Sequence, residues 1–385
     1  MYKHQIYDLI EKALKDMGIA EIPSFNVGYP PDSKLGDYAT NAALVVAKIL
    51  KKDPNEVALN ILSQIYKGYG EQQSFVKSAG INIKYLPPGF INFFIEPEHL
   101  QKNLVNILKQ KDKYGSSKIG KGKTVVVDYS APNIAKMMHV GHLRSTVIGQ
   151  AVYNIYKFLG YKAIGDNHIG DWGTHFGKLI YAYKNFVYPE RSRTGDKENL
   201  KENFILEMNR LYVDFNSRAK EDEKLNDRAR EETRKFQEGD KENVKIWKYF
   251  VRESMKEFDK IYKILGVKID KTLGESFYQP MLKEVISEAV KKGIAEQSDG
   301  ALIVPLEKYN LPPYMIQKTD GATLYGTTDL ATLKYRVEKW KAEKIIYVVA
   351  NEQSGHFMQL FKVGELIPRR SLRNLICSID SSPDR

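Results

Sequence analysis

The stretch DYSAPNIAKMMHVGHLR, Asp128 to Arg144, concentrates the side chains best suited to chemistry. His139 and His142 bracket Gly141, a residue small enough to let the backbone approach a phosphate while both imidazoles face it. If a helix opens at the same point, its free amides add a place for negative charge. Together these groups would stabilise the charge that builds on an α-phosphate under attack. The bare H-x-G-H spacing also fits two ordinary loop histidines or a metal site. What separates these readings is the pair of elements on either side.

Those elements have the right types. Thr124 to Asp128, TVVVD, is a β-branched run of the kind buried in parallel sheets. Leu143, Val147, Ala151, Ile155 and Leu159 recur every fourth residue and predict a helix that Gly160 stops, with YKAI as the next strand. Strand, loop, helix and strand make a βαβ unit of an open, mostly parallel sheet, whose ligands bind at the carboxyl ends of the strands. Further on, Ala301 to Pro305, Tyr314 to Lys318 and Ala322 to Tyr325 read as short strands, with Asp320-Gly321 as a hairpin turn. Leu330, Leu333, Val337 and Trp340 mark a helix, and Lys344 to Ala350, KIIYVVA, is another buried strand. The stretch 189–242 is dense in mixed charge and reads as a solvent-exposed helical insertion whose charge runs are a wet face.

Upstream, Tyr2 to Met17 and Asn41 to Lys51 read as helices, and Ile81 to Tyr85 and Phe90 to Ile95 as strands, the second following the turn Pro87-Pro88-Gly89. Lys109 to Lys123, with six lysines and three glycines, reads as a linker, so a domain boundary is expected near residue 110. A chain of 385 residues is too long for one ordinary core, and its 42% hydrophobic content suffices for two. It contains no run of 18 apolar residues and opens on an amphipathic helix pattern, so a soluble, unsecreted protein with no membrane partner is expected. The single cysteine, Cys377, excludes an internal disulfide and fits a reducing compartment. The net charge of +11 favours a polyanion such as nucleic acid, although a lysine-rich surface that merely stays solvated explains it as well.

The HVGH segment is similar to the HIGH motif of class I aminoacyl-tRNA synthetases, and SAPNIAKMMHVGHLRST resembles their arginyl branch. GDNHIGDWGTHFGKL at 165–179, KFQEGDKENVKIW at 235–247, GESFYQP at 274–280, KTDGATLYGTTDLA at 318–331 and YVVANEQSGHFMQLFKV at 347–363 resemble segments of the same family in the same order. The fold implied is α/β, a Rossmann-like parallel-sheet catalytic domain over 111–363, with an N-terminal α+β additional domain over 1–110 and the helical insertion at 189–242.

The resemblance implies ATP, accompanied by Mg2+, bound at His139, Gly141 and His142, with Lys136 as a further phosphate-binding lysine; a plain surface lysine is the competing reading. Arginine recognition needs anions for the guanidinium and polar groups for the amino-acid end. By resemblance, Tyr325 and Asp329 hold the guanidinium, Asn133 and Gln353 the amino-acid end, and Asp128 adds negative charge, with Ala131, Pro132 and His142 completing the pocket. Without the family, a Tyr and an Asp four apart are more simply a helix N-terminus.

In the first domain, PPDSKLGDYATNAALVVAKIL at 30–50 and PPGFINFFI at 87–95 resemble the arginyl-specific domain that contacts the tRNA elbow, with Asn92 and Phe93 as base contacts. Membership of the core is the alternative for Phe90, Phe93 and Phe94. The resemblance thus implies a cytoplasmic, monomeric arginine-tRNA ligase acting on L-arginine, ATP and tRNA-Arg. Residues 364–385, GELIPRRSLRNLICSIDSSPDR, match no part of the family and replace its continuation into a lysine-rich catalytic loop and an anticodon-binding domain, so an incomplete copy that binds ATP but does not charge tRNA at a useful rate is expected. A non-catalytic paralogue that binds tRNA or arginine is the alternative.

Overall fold

The computed structural model describes residues 2–67, 81–187 and 203–367 in full and the backbone of 376–380. The chain forms two compact units, Met1–Gly115 and Ser116–Arg385. In the first, helices α1 (Tyr2–Asp16), α2 (Ala42–Leu50) and α3 (Pro54–Lys67) pack on an antiparallel sheet. Its strands β1 (Val27–Gly28), β2 (Tyr38–Thr40), β3 (Ile81–Leu86) and β4 (Phe90–Ile95) lie in the order β1-β2-β4-β3. Ile6, Ile10 and Leu14 of α1 meet Val57 and Ile61 of α3 and Ile91 and Phe93 of β4 in one core, which is why these residues recur at helical and alternating spacing. Helix α4 (Pro97–Gln110) follows, so ordered helix occupies the ground just before the lysine-rich stretch.

The second unit is built on a five-stranded parallel sheet in the order β12-β11-β5-β6-β7. The strands are β5 (Thr124–Asp128), β6 (Lys162–Asn167), β7 (Lys271–Thr272), β11 (Ala342–Val349) and β12 (Ile376–Asp380). All of β5 is buried because both faces are covered: Val125 and Val127 pack with Tyr153 on one side, and Val126 with Leu330 and Leu333 on the other. Helix α5 (Val140–Phe158) joins β5 to β6 and lies close to the sheet. A Cβ at Gly149 would come 2.2 Å from the Cβ of Tyr129, so only glycine fits there. Because the chain leaves β5 toward β6 on one side and β11 lies on the other, the order reverses between β5 and β11, and a crevice opens at their carboxyl ends.

Helices α6 (His175–Ala182), α7 (Phe204–Glu221), α8 (Lys224–Gln237) and α9 (Lys241–Leu265) fill the stretch between β6 and β7. The described part of the expected charged insertion is thus largely helical as read, while its part at 189–202 lies outside the described residues. The charged face is real: Arg218 pairs with Asp214 at 3.0 Å, and Arg234 with Glu231 and Glu238 at 2.8 and 2.6 Å. The insertion is more than a wet surface, however. Phe204, Met208, Leu211 and Phe215 of α7, Phe236 of α8 and Phe250 and Phe258 of α9 form a core with Phe176 and Ile180 of α6.

Beyond β7 come α10 (Glu275–Tyr278), α11 (Leu282–Lys291) and a small antiparallel sheet of β8 (Glu296–Ser298), β9 (Ala301–Val304) and β10 (Tyr314–Gln317). The strand expected over Ala322 to Tyr325 is absent. A turn at 318–321 leads through a single bridge, Gln317 to Thr323, into α12 (Tyr325–Glu338). Thr327 decides this: its Oγ1 accepts from Leu324 N at 3.4 Å and donates to Ile316 O at 2.5 Å, closing the first helical turn where a strand would need open amides. Helix α13 (Ser354–Leu366) connects β11 to β12, which pairs parallel to β11 from Ile376 to Asp380, so part of the 364–385 segment is a strand of the main sheet.

Candidate active site

At the reversal point, the segment after β5 and the segment after β11 line a cavity of about 500 Å3. Asp128, Ser130, Ala131 and Asn133 form one side, His139, Gly141 and His142 stand at the opening of α5, and Ala350, Glu352 and Gln353 close the other side. Three residues in the first segment hold positive φ without being glycine: Ser130 at 76°, Ala131 at 45° and Ala135 at 60°. Each such residue costs of order 1–3 kcal/mol, which surrounding bonds must offset. The loop at 167–171 supplies some of them. Ala131 N donates to Asn167 Oδ1 at 3.0 Å, Gly170 N to Pro132 O at 3.1 Å, and Ile134 N to Gly170 O at 3.0 Å.

The histidine pair is arranged by its own backbone. His139 N donates to His142 Nδ1 at 3.2 Å, and Gly141 N donates to His139 Nδ1 at 3.2 Å. A ring nitrogen that accepts carries no hydrogen, so both imidazoles bear theirs on Nε2 and can offer it to a ligand. The ring centroids are 3.9 Å apart. Burial, and then the nearby His139, push the His142 pKa down to about 4, so this ring is neutral at pH 7. The arrangement therefore presents two Nε2 donors and a helix N-terminus to an anion.

Tyr325 and Asp329 do not line this cavity. They stand on α12, where Asp329 Oδ2 accepts from His356 Nε2 at 2.7 Å and the Tyr325 ring lies 4.9 Å from that of His356. His356 follows Gln353 by three residues, so the first turn of α13 ties the two groups together. His168 adds to the second group, its Nδ1 donating to Leu273 O at 3.0 Å and its Nε2 facing Asp329 Oδ1 at 4.0 Å. Burial pushes the Glu275 carboxyl up to about 7, with His168 opposing and Asp329 and Asp171 reinforcing the shift. Asp171 in turn accepts from Ser276 N and Oγ at 2.8 and 2.6 Å, which joins the GDNHIGD and GES segments.

Asp128 lines the cavity, but its Oδ2 accepts from Arg336 Nη2 at 2.7 Å. Lys136 is exposed, with Nζ 6.0 Å from the centroid of the Tyr212 ring, and Pro132 is buried behind the lining. In the first unit, Phe93 is fully buried in the core, so its ring faces are closed to a base. Asn92 lines a cavity of about 600 Å3 with Tyr29, Pro30, Leu35 and Phe90, and its Nδ2 donates to Leu35 O at 2.6 Å. Tyr29 is 82% exposed and Phe90 39%. Sequence reasoning missed Arg336, His356 and Glu275. Glu275 and His356 carried a signal, inside the GESFYQP and YVVANEQSGHFMQLFKV segments, and Arg336 carried none.

The sequence matches the profile of the class I tRNA synthetases (R) catalytic domain over residues 103–368, and that of the arginyl tRNA synthetase N-terminal domain over 4–95. The chain belongs to the arginyl-tRNA synthetase family. It is 41% identical to an arginine–tRNA ligase of Halothermothrix orenii over 377 residues, 97% of this chain and 63% of that one. It is 40% identical to one of Clostridioides difficile over 376 residues, again covering 97% and 63%. The crystal structure of arginyl-tRNA synthetase from Plasmodium falciparum superposes with a TM-score of 0.78 at 27% identity, over 98% of this chain and 64% of that one. Such coverage takes the likeness to other arginyl-tRNA synthetases into the 364–385 segment. The chain spans somewhat over three fifths of the length of these relatives.

Proposed function

We propose that the chain is an arginine-tRNA ligase: the arginine carboxylate attacks the α-phosphorus of ATP, pyrophosphate leaves, and the arginyl group passes to the 3′ end of tRNA-Arg. The observation that carries this reading is the histidine pair, two Nε2 donors at a helix N-terminus, facing a cavity at the sheet's reversal point. Donors preorganised around a charge that grows in the transition state are typically worth about 3–4 kcal/mol each.

His139, Gly141 and His142 would hold the nucleotide, with the exposed Lys136 adding charge. Ala131, Pro132, Asn133 and Gln353 would hold the amino-acid end, and Tyr325 and Asp329 the guanidinium, whose fixed donors suit a carboxylate that already takes a hydrogen bond from His356. Asp128, shared with Arg336, would act through that pair. Magnesium would arrive on the triphosphate as part of the substrate; among the described residues no cluster of three His, Cys, Asp or Glu could hold an ion alone.

The first unit, the 1–110 domain of the sequence reading, would meet the tRNA elbow through the cavity beside Asn92, with Phe93 supporting it from the core. A monomer working in the cytoplasm completes the proposal. Among the described residues no helix is long and apolar enough to cross a membrane.

The test is calorimetric titration of the chain with MgATP and with L-arginine, followed by charging of total tRNA with radiolabelled arginine. Binding of both ligands in one cleft is expected, and arginine-specific charging would carry the reading through to the transfer step. Absence of binding by either ligand overturns the proposal, and binding without charging would mark a non-catalytic binder.

A further inference from the structure

The three left-handed residues of the segment after β5, Ser130, Ala131 and Ala135, are all held by α9 or by a residue that α9 holds. Ala135 N donates to Ser254 Oγ at 2.9 Å. Ser130 Oγ lies 2.7 Å from Tyr262 OH. Asn167 Nδ2 donates to the same phenol oxygen at 3.1 Å, and Asn167 Oδ1 takes the amide of Ala131 at 3.0 Å. Ser254 and Tyr262 stand about two turns apart on one helix, so α9 grips both ends of the segment. These side chains are all nearly or wholly buried, so water is a poor substitute for a lost partner.

The direction of both Asn167 bonds follows from the donors. The Ala131 amide can only donate, so Asn167 must present its oxygen to it and its amino group to Tyr262. The phenol oxygen accepts that bond; across the 2.7 Å pair with Ser130 Oγ either hydroxyl can donate, and with Tyr262 as donor its hydrogen meets Ser130 Oγ. Ser130 then keeps its hydrogen free to donate, on a residue that lines the cavity.

We propose that Tyr262 is a positioning residue for the cleft. From α9, its phenol sets the Ser130–Ala131 turn and directs the Ser130 hydroxyl toward an anionic oxygen of the bound ligand, a carboxylate or a phosphate. The inference rests on the reading of this cleft as the arginine and ATP site. It gives α9 a function at the site that its distance along the sequence hides.

Tyr262→Phe removes one oxygen and leaves the ring in the core. Titrations of this variant with MgATP and with L-arginine separate a phosphate from a carboxylate as the oxygen served. The Kd for at least one of them should rise about tenfold, as expected for one buried hydrogen bond, while the melting temperature falls by only a few degrees and the chain stays folded. Amide exchange at Ala131 should quicken even without ligand. Ser130→Ala should reproduce the loss, and the double variant should lose no more than either single one, because the two side chains act through one bond. Unchanged Kd values in Tyr262→Phe, or additive losses in the double variant, overturn the inference. If the parent chain binds neither ligand, the reading of the cleft falls and this inference with it; if parent and variant bind alike, only the inference falls.

Discussion

Arg336 Nη2 lies 2.7 Å from Asp128 Oδ2 and 2.6 Å from Asp166 Oδ2, wholly buried beneath the cleft. The sheet register explains the contact: Asp128 stands opposite Asp166 on β6 and Tyr347 on β11, so three strand ends present their side chains to one guanidinium, which also rests 5.3 Å above the Tyr347 ring. The charge of Asp128 is therefore shared with the chain's own arginine before any substrate arrives. Removing Arg336 would leave two buried carboxylates facing each other, and breaking a buried pair from one side costs about 3–5 kcal/mol. Arg336→Met should lower the melting temperature markedly, whereas Asp128→Asn, which keeps the Arg336 to Asp166 pair, should lower it less. Thermal unfolding of the two variants side by side checks the order.

Asp329→Ala should abolish arginine binding and leave ATP binding within a few fold. Its carboxylate belongs to the group around His356 and Tyr325, not to the lining of the cavity at the reversal point. A guanidinium without its carboxylate would be buried unpaired, which is costly. Calorimetry with each ligand decides the matter: equal loss of both would mean that Asp329 supports the whole site instead of one substrate.

Arginine binding should release protons near pH 7. Glu275, held up to about 7 mainly by burial, is part-protonated there, and a guanidinium beside Asp329 would favour its charged form. The binding enthalpy at pH 7 should therefore vary with the ionisation enthalpy of the buffer, and the variation should vanish in Glu275→Gln. The same shift bears on stability. A carboxyl whose folded pKa lies above its unfolded value of 4.5 weighs against folding once ionised, progressively from about pH 4.5 to 7. Glu275→Gln should thus raise the melting temperature more at pH 8 than at pH 5.

Acid should act in the opposite direction through two imidazoles. His142 and His175 are both pushed down to about 4, chiefly by burial, so below pH 6.5 the unfolded chain binds protons that the folded one refuses. The stability they contribute is complete above pH 6.5 and is lost as the pH falls toward 4. His175→Phe, with the ring beside Phe176 retained in kind, should flatten the decline in melting temperature between those limits. An unchanged slope would show that other groups govern acid lability.

The elements that carry the cleft were readable because their patterns are local. TVVVD announces a strand covered on both faces, and the residues recurring from Leu143 announce the helix whose start bears the histidines. What stayed hidden depends on distant partners. Nothing near Arg336 in the sequence shows that two carboxylates, 208 and 170 residues away, meet it. Phe93 and Phe90 stand in one strand with opposite fates, buried and exposed, which the alternation suggests but the tertiary contacts decide. The helix start at Tyr325 was misread as a strand because the hydroxyl of Thr327 outweighs the β propensity of its neighbours.

Gly149 sits well over a helical turn from the histidines, yet it acts as the gauge of their height. With 2.2 Å between its missing Cβ and Tyr129, any larger residue must lift α5 off the sheet, and a rigid helix carries that displacement to its first turn about 12 Å away. The placement of the two imidazoles over the cavity is thus fixed by an absent methyl group, and damage there would present as a defect of the histidine pair from a residue that does not line it.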